Sequence, residues 1–308
     1  MKRVALLIIA GLLTLTAIAG GAIYLLKPKA TLKITTGHHG GVANRFVNAL
    51  AAETAVEYPR LSLESVDTAD LAASAKAIED AKADLAVIRT DAAIPVNGET
   101  LAILRHDIFA IVTPAKTDIE KIPNLAQKTI GIPAGYLQSF NEQALDTILS
   151  FYDIPSKSVR RLFLPMADIG RALAEKRIAA VLAIGALGPG EVVDVVTAVK
   201  AATKSLPKVL AIEEAEAISK RFPAFEPIEV PAGAFKGRPA IPDDSVSTLA
   251  VTYRLVAPDS MLDVLAGAIA RTVLKSKTKL MQASPLDSAR RACGEAGGSQ
   301  ASLDAARA

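Results

Sequence analysis

Thr31-Leu-Lys-Ile-Thr-Thr-Gly-His-His-Gly-Gly-Val-Ala-Asn-Arg-Phe-Val-Asn-Ala-Leu50 is the stretch from which the architecture can be read. Residues 31–36 place apolar Leu32 and Ile34 among polar or β-branched neighbours, three of them Thr, which is the composition of a short strand. Gly37, Gly40 and Gly41 then permit positive φ and close backbone approach, while Val42, Phe46, Ala49 and Leu50 recur at helical spacing. The unit is strand, glycine loop, helix. The first N–H groups of such a helix have no partner inside it, so they offer hydrogen bonds and a positive dipole end to an anion. A tight turn in a parallel sheet needs the same glycines, and that structural reading stands beside the functional one. The spacing fits neither GxGxxG nor GxxxxGK[ST], so a nucleotide is not the expected anion.

Working outward, 308 residues with 51% apolar and 22% charged side chains make a folded chain with room for one large or two modest domains. A net charge of +3, no Trp, and only 4% aromatics exclude a basic, aromatic-studded nucleic-acid surface. Val4 to Leu26 is a run of 23 residues without a charge, between Lys2-Arg3 and Lys27/Lys29. It is long enough to span a bilayer and reads as a retained anchor, with cleavage after Ala17-Ile-Ala19 as the alternative. Either way the remainder is expected outside the cytoplasm, at the periplasmic face of the inner membrane. Cys293 is the only cysteine, so neither an intrachain disulfide nor a multi-cysteine metal site is available.

Leu61-Ser-Leu-Glu-Ser-Val66 reads as a second strand, with Asp67-Thr-Ala-Asp70 as turn and N-cap before a helix over 70–82. Asp84-Leu-Ala-Val-Ile88 is a buried strand, followed by short strands at 100–104 and 107–113. The scheme restarts after Pro114, with a strand at 128–132, a loop at 133–139, a helix at 140–152, a strand at 159–163, a helix at 168–176, a strand at 178–184 and a turn at 185–190. Segments 70–88 and 168–184 echo each other: both run N-cap, helix, turn, buried strand. Alternation of this kind predicts an α/β fold with parallel-rich sheets. Two apolar segments ending in Pro, 108–114 and 248–258, read as crossings between halves. The expected organisation is an N-terminal segment 1–29, lobe 1 from 30–113 plus 246–280, lobe 2 from 114–245, and a disordered tail 281–308 poor in large apolar side chains. Two lobes on a hinge form a cleft that closes on a ligand, lined by loops at the carboxyl ends of strands.

Several ordered segments carry a family resemblance: 32–41 (LKITTGHHGG), 83–91 (ADLAVIRTD), 129–135 (TIGIPAG), 221–225 (RFPAF) and 230–237 (VPAGAFKG). On these the chain resembles the TAXI class of solute receptors, the TRAP-associated extracytoplasmic immunogenic proteins of tripartite ATP-independent periplasmic transporters. The resemblance implies a two-lobed periplasmic-binding-protein architecture of type II, with two hinge crossings. It also implies capture of a small organic anion, a carboxylate or amino acid, for a TRAP-type membrane permease. Departures at Val42-Ala-Asn44, Thr68-Ala-Asp70 and Tyr136-Leu-Gln-Ser139, where the family often carries Thr-Tyr-Tyr, Gly-Ser and Ser-Gly-Thr, mean that the ligand itself does not carry over. A membrane-anchored sensor or scaffold on the same fold is the alternative.

The candidate ligand-binding residues are His38, His39, Gly40, Gly41, Thr68, Arg89, Thr90, Tyr136, Gln138, Ser139 and Gly185. Arg89, at the end of a buried strand, has the planar fork that holds a carboxylate bidentately, unless Asp91 takes it. His38 and His39, adjacent in a loop, lack metal-ligand spacing. Tyr136, Gln138 and Ser139 offer hydroxyl and amide groups opposite the first loop, and Thr68 and Thr90 stand at strand ends. No catalytic motif is present: there is no GxSxG or HExxH, and His106 stands alone beside Asp107. No enzyme activity, cofactor or metal is expected.

Overall fold

The computed structural model describes residues 29–283. The apolar run at 4–26 and the expected tail from 284 onward lie outside these residues. Among the described residues no helix is long and apolar enough to cross a membrane.

Strand β1 (Ala30–Thr35) passes through the glycine loop into helix α1 (Val42–Glu57). The buried stripe of α1 is Ala43, Phe46, Val47, Leu50 and Thr54, rotated slightly from the expected one, so that Val42 is left at the helix entrance. Strand β2 (Leu61–Val66) pairs parallel to β1. Helix α2 (Leu71–Glu79) starts at Asp70, whose carboxylate accepts the Ala73 N–H at 2.7 Å. Gly37 closes this unit at φ +73°, its N–H donating to Ser74 Oγ at 2.8 Å and its carbonyl accepting from Thr68 N. Strand β3 (Leu85–Arg89), buried at every position, pairs parallel to the other edge of β1.

Strand β4 (Gly98–Thr113) is a single strand of 16 residues rather than the two short ones expected. The polar Arg105-His-Asp107 looked like a break, but Arg105 and Asp107 point to one face and satisfy each other there, so the ladder continues through them. The second half repeats the scheme with β5 (Thr129–Pro133), α3 (Gln138–Phe151), β6 (Arg160–Leu164), α4 (Met166–Ala174), β7 (Ala180–Gly185) and α5 (Glu191–Thr203). Strand β8 (Lys208–Val209), helix α6 (Ala215–Arg221), β9 (Glu226–Val230) and the hairpin β10 (Lys236–Gly237) and β11 (Ala240–Ile241) follow. Strand β12 (Val246–Pro258) leads to α7 (Asp263–Lys275) and α8 (Lys277–Ala283), so the first residues of the expected tail are helical.

The main sheet runs β2-β1-β3-β12-β4-β7-β5-β6, with β8 on β4 and β9 on β12. Read from either edge the order is the same: β2-β1-β3-β12 from one side, β6-β5-β7-β4 from the other. The segments 70–88 and 168–184, whose similarity was visible in the sequence, occupy equivalent places as the helix and strand leading to the third position. Strands β4 and β12 pair with each other antiparallel and each also serves both halves. β4 turns from β12 to β7 at Ile108, and β12 pairs with β9 over 246–250 and with β3 over 253–256. Separate cores lie on either side of this change of partner. One gathers Leu32, Ile34, Phe46, Leu50, Leu85 and Leu255; the other gathers Phe109, Ile130, Leu145, Ile148, Leu182 and Leu249. The result is an α/β fold on one main sheet, whose two halves, lobe 1 around β1–β3 and lobe 2 around β5–β7, share two long antiparallel strands.

Candidate functional site

Three helix starts meet where the lobes face each other. From lobe 1 come Thr36, His38, Gly41, Val42 and Ala43 at the entrance of α1, and Asp70 and Leu71 at the entrance of α2. From lobe 2 come Tyr136, Leu137 and Phe140 at the entrance of α3, and Tyr253 forms the floor. Together they enclose a cavity of about 50 Å³, room for a few water-sized groups. Helices α1 and α3 have no side-chain cap, the Val42 N–H meeting the Tyr136 hydroxyl and the Gln138 N–H the Gly135 carbonyl, whereas α2 is capped by Asp70. Gly41 is required at its place. A Cβ there would lie 2.9 Å from the His38 carbonyl oxygen, which accepts the Gly41 N–H in the turn. His38 stacks on Tyr136 across the gap, with ring centroids 6.2 Å apart, and the Val42 N–H bonds the Tyr136 hydroxyl oxygen.

Beneath the cavity lies a row of charge. Tyr253 on β12 stands directly opposite Arg89 on β3 and Arg105 on β4, which puts all three on one face of the sheet. Each arginine is held by the aspartate two residues on. Arg89 Nε and Nη2 donate to Asp91 at 2.6 and 2.7 Å, and Arg105 Nη2 donates to Asp107 at 2.6 Å. Arg89 Nη2 also donates across the lobes to Asn141 Oδ1 at 3.1 Å. The two guanidinium groups lie under the aromatic floor, 5.9 Å from the Phe140 ring for Arg89 and 5.1 Å from the Tyr253 ring for Arg105. Burial works against the Arg89 charge, but Asp91 and Tyr253 hold its pKa above the usual arginine range. Its Nη1 is buried without a hydrogen-bond partner among the described residues.

The carboxyl group of Glu191, at the start of α5, faces this row from lobe 2. Burial pushes its pKa up to about 7, helped by Asp107, although the Ile184 N–H, Arg89 and Arg105 pull the other way.

A model of the NMT1-like family matches residues 96–296. The chain belongs to the NMT1-like family. No curated protein sequence matches it. Among solved structures, this NMT1-like chain is similar to a TctC solute binding protein from Polaromonas, at 16% identity over 83% of this chain and 88% of that one, with a TM-score of 0.49. It is also similar to the periplasmic aliphatic sulphonate binding protein SsuA from Escherichia coli, at 12% identity over 86% and 79% of the two chains, TM-score 0.44. The GluR0 ligand-binding core from Nostoc punctiforme, solved with L-glutamate, resembles it at 14% identity over 82% and 96%, TM-score 0.44.

Of the residues singled out in the sequence of this NMT1-like protein, His38, Gly41 and Tyr136 line the cavity. His39 turns outward, its Nδ1 2.6 Å from Asp67 Oδ2, and Gly40 at φ +69° lends its carbonyl to Arg45. Thr68 bonds Ser74 and the Asp70 carbonyl within its own turn. Thr90 bridges the lobes by donating to the Ala224 carbonyl at 2.6 Å while accepting the Thr252 N–H at 3.0 Å. Gln138 accepts the Gly135 N–H at 3.4 Å, Ser139 is exposed, and Gly185 sits in the ladder between β4 and β7. Arg89 lies one layer below the cavity. The sequence reading passed over Leu71, Leu137, Phe140 and Asn141. The first three look like ordinary core positions, but Asn141 stands on the apolar face of α3 beside Phe140 and Ala144, and a polar residue on such a face is a usable signal.

Proposed function

We propose that this NMT1-like protein is an extracytoplasmic solute-binding receptor that closes its lobes on a small organic anion and delivers it to a TRAP-type secondary transporter. The single observation that carries this reading is the meeting of three helix starts from two lobes on one cavity, two of them with no side chain of their own to cap them. Negative charge is favoured there by the helix dipoles, while Phe140, Leu71 and Tyr253 exclude water from an apolar body. The volume favours a short carboxylate over a sugar or a peptide. The resemblance to TAXI receptors supports the choice of partner, and residues 4–26 would hold the protein to the periplasmic face of the inner membrane.

The test is a thermal-unfolding screen against short carboxylates, oxo-acids, amino acids and sulfonates. One anion should raise the midpoint saturably, without turnover, and Tyr136→Ala should remove that response while leaving the unliganded midpoint nearly unchanged. No response to any anion would overturn the reading. Uptake into vesicles carrying the partner permease, dependent on the receptor, separates transport from the alternative role as an anchored sensor.

A further inference from the structure

The end of lobe 1 farthest from the cavity is apolar where it meets solvent. Among the described residues, Val96 is 96% exposed, Val56 and Val264 77% each, and Leu262 69%. The register places Val96 with Leu262 and Val264, and Val56 lies at the other end of α7. Pro258 pairs with Gly98 and the Asp259 N–H donates to the Asn97 carbonyl at 2.9 Å, so the loop bearing Val96 lies against the turn that leads to Leu262 and Val264. Val56 ends α1 beside Glu57 and Tyr58, which contact Lys275 and Arg271 of α7. This is the end at which β1, β2 and β3 begin, whereas Thr36, Val66 and Arg89 mark the cavity end. Isolated exposed apolar residues need no explanation, but a group at one end of one lobe does.

The N-terminal segment reaches the fold at the same end. Ala30 is the first residue of β1, paired with Leu61 and bonded to the Arg60 carbonyl. Only residues 27–29 separate it from the uncharged run at 4–26, and three residues span at most about 11 Å. If that run crosses a bilayer, lobe 1 has no freedom to stand away from it.

We propose that lobe 1 rests end-on against the lipid bilayer through Val56, Val96, Leu262 and Val264, with the cavity and lobe 2 directed outward. The inference rests on the reading of residues 4–26 as a retained anchor. Contact is through apolar insertion at headgroup depth. Lys29, Arg60, Arg271 and Lys275 on this end stand against Glu57, Asp259 and Asp263, so charge attraction to anionic lipid is secondary.

The test uses the full chain carrying Cys293→Ser, with single cysteines introduced as Val96→Cys or Leu262→Cys and, as control, Leu206→Cys on lobe 2. Each is labelled with an environment-sensitive fluorophore and reconstituted into phosphatidylethanolamine/phosphatidylglycerol vesicles. The expected result is co-flotation with the vesicles, with a blue shift and several-fold emission gain at 96 and 262 and none at 206. A chain that floats but leaves both labels in water overturns the contact while keeping the anchor. A chain that does not float overturns both. A shift that is present without vesicles and lost on dilution assigns the patch to a second copy, and also overturns the proposal.

Discussion

Removing the Arg89 side chain would leave the Asp91 carboxylate, only 3% exposed, without a counterion. Arg89→Ala is therefore expected to cost about 3–5 kcal/mol in urea unfolding, whereas Arg89→Met with Asp91→Leu should recover most of that loss. A loss of under about 1 kcal/mol in the single variant would mean that the pair is solvated. Glu191 makes a second prediction at this scale. Its folded pKa, near 7, lies above its ordinary 4.5, so the folded state holds the proton more tightly. Its contribution to stability is full below about pH 4.5 and declines as pH rises toward 7. Glu191→Gln should flatten the stability profile across that window, as followed by the midpoint of chemical unfolding at stepped pH. The sequence showed Arg89 at the end of a buried strand with Asp91 as a competing partner. It could not show that the competitor takes the fork, because that depends on the turn after β3 folding back to present the carboxylate.

The loop before α1 is legible in the sequence because each of its parts has a local cause: Thr-rich strand, glycines, periodic apolar residues. Gly41→Ala tests how strictly the element depends on them. The added Cβ meets the His38 carbonyl at 2.9 Å, so the turn must shift. The expected cost in stability is about 1 kcal/mol, and ligand affinity should fall more than stability does, by calorimetric titration, because the start of α1 moves with the turn. Strand β4 shows where local reading stops. A strand that passes from one lobe to the other carries charge in its middle, and only the tertiary arrangement reveals that Arg105 and Asp107 answer each other. The site was legible in part for the same reason. Loop residues His38, Gly41 and Tyr136 have the chemistry of a site, but Leu71, Leu137 and Phe140 acquire theirs only when three helix starts are brought together.

At the level of the whole molecule the lobes are held shut by a few polar contacts across the gap: Arg89 with Asn141, Thr90 with the Ala224 carbonyl, and Tyr136 with the Val42 N–H. Asn141→Ala removes one of them without touching a cavity-lining residue. Small-angle scattering of the unliganded variant should give a larger radius of gyration than the parent chain, and ligand should restore the compact value. An unchanged radius would show that packing alone keeps the lobes together. The alternation of strands and helices and the two long apolar crossings are readable along the chain; that both halves join in one main sheet is not. The depth to which the lobes close is not, since it is set by pairs of residues as far apart as Thr90 and Ala224.

The two crossings, β4 and β12, are bonded to each other along most of their length, with register shifts at Tyr253/Arg254 and Leu255/Val256. Lobes joined in this way are not on slack tethers. They share a ribbon that resists shear and yields to torsion, most easily where the register slips. Exchange of an occupant is then timed by the rupture of the few bonds at the mouth, with the ribbon returning the halves to the same mutual orientation after every cycle.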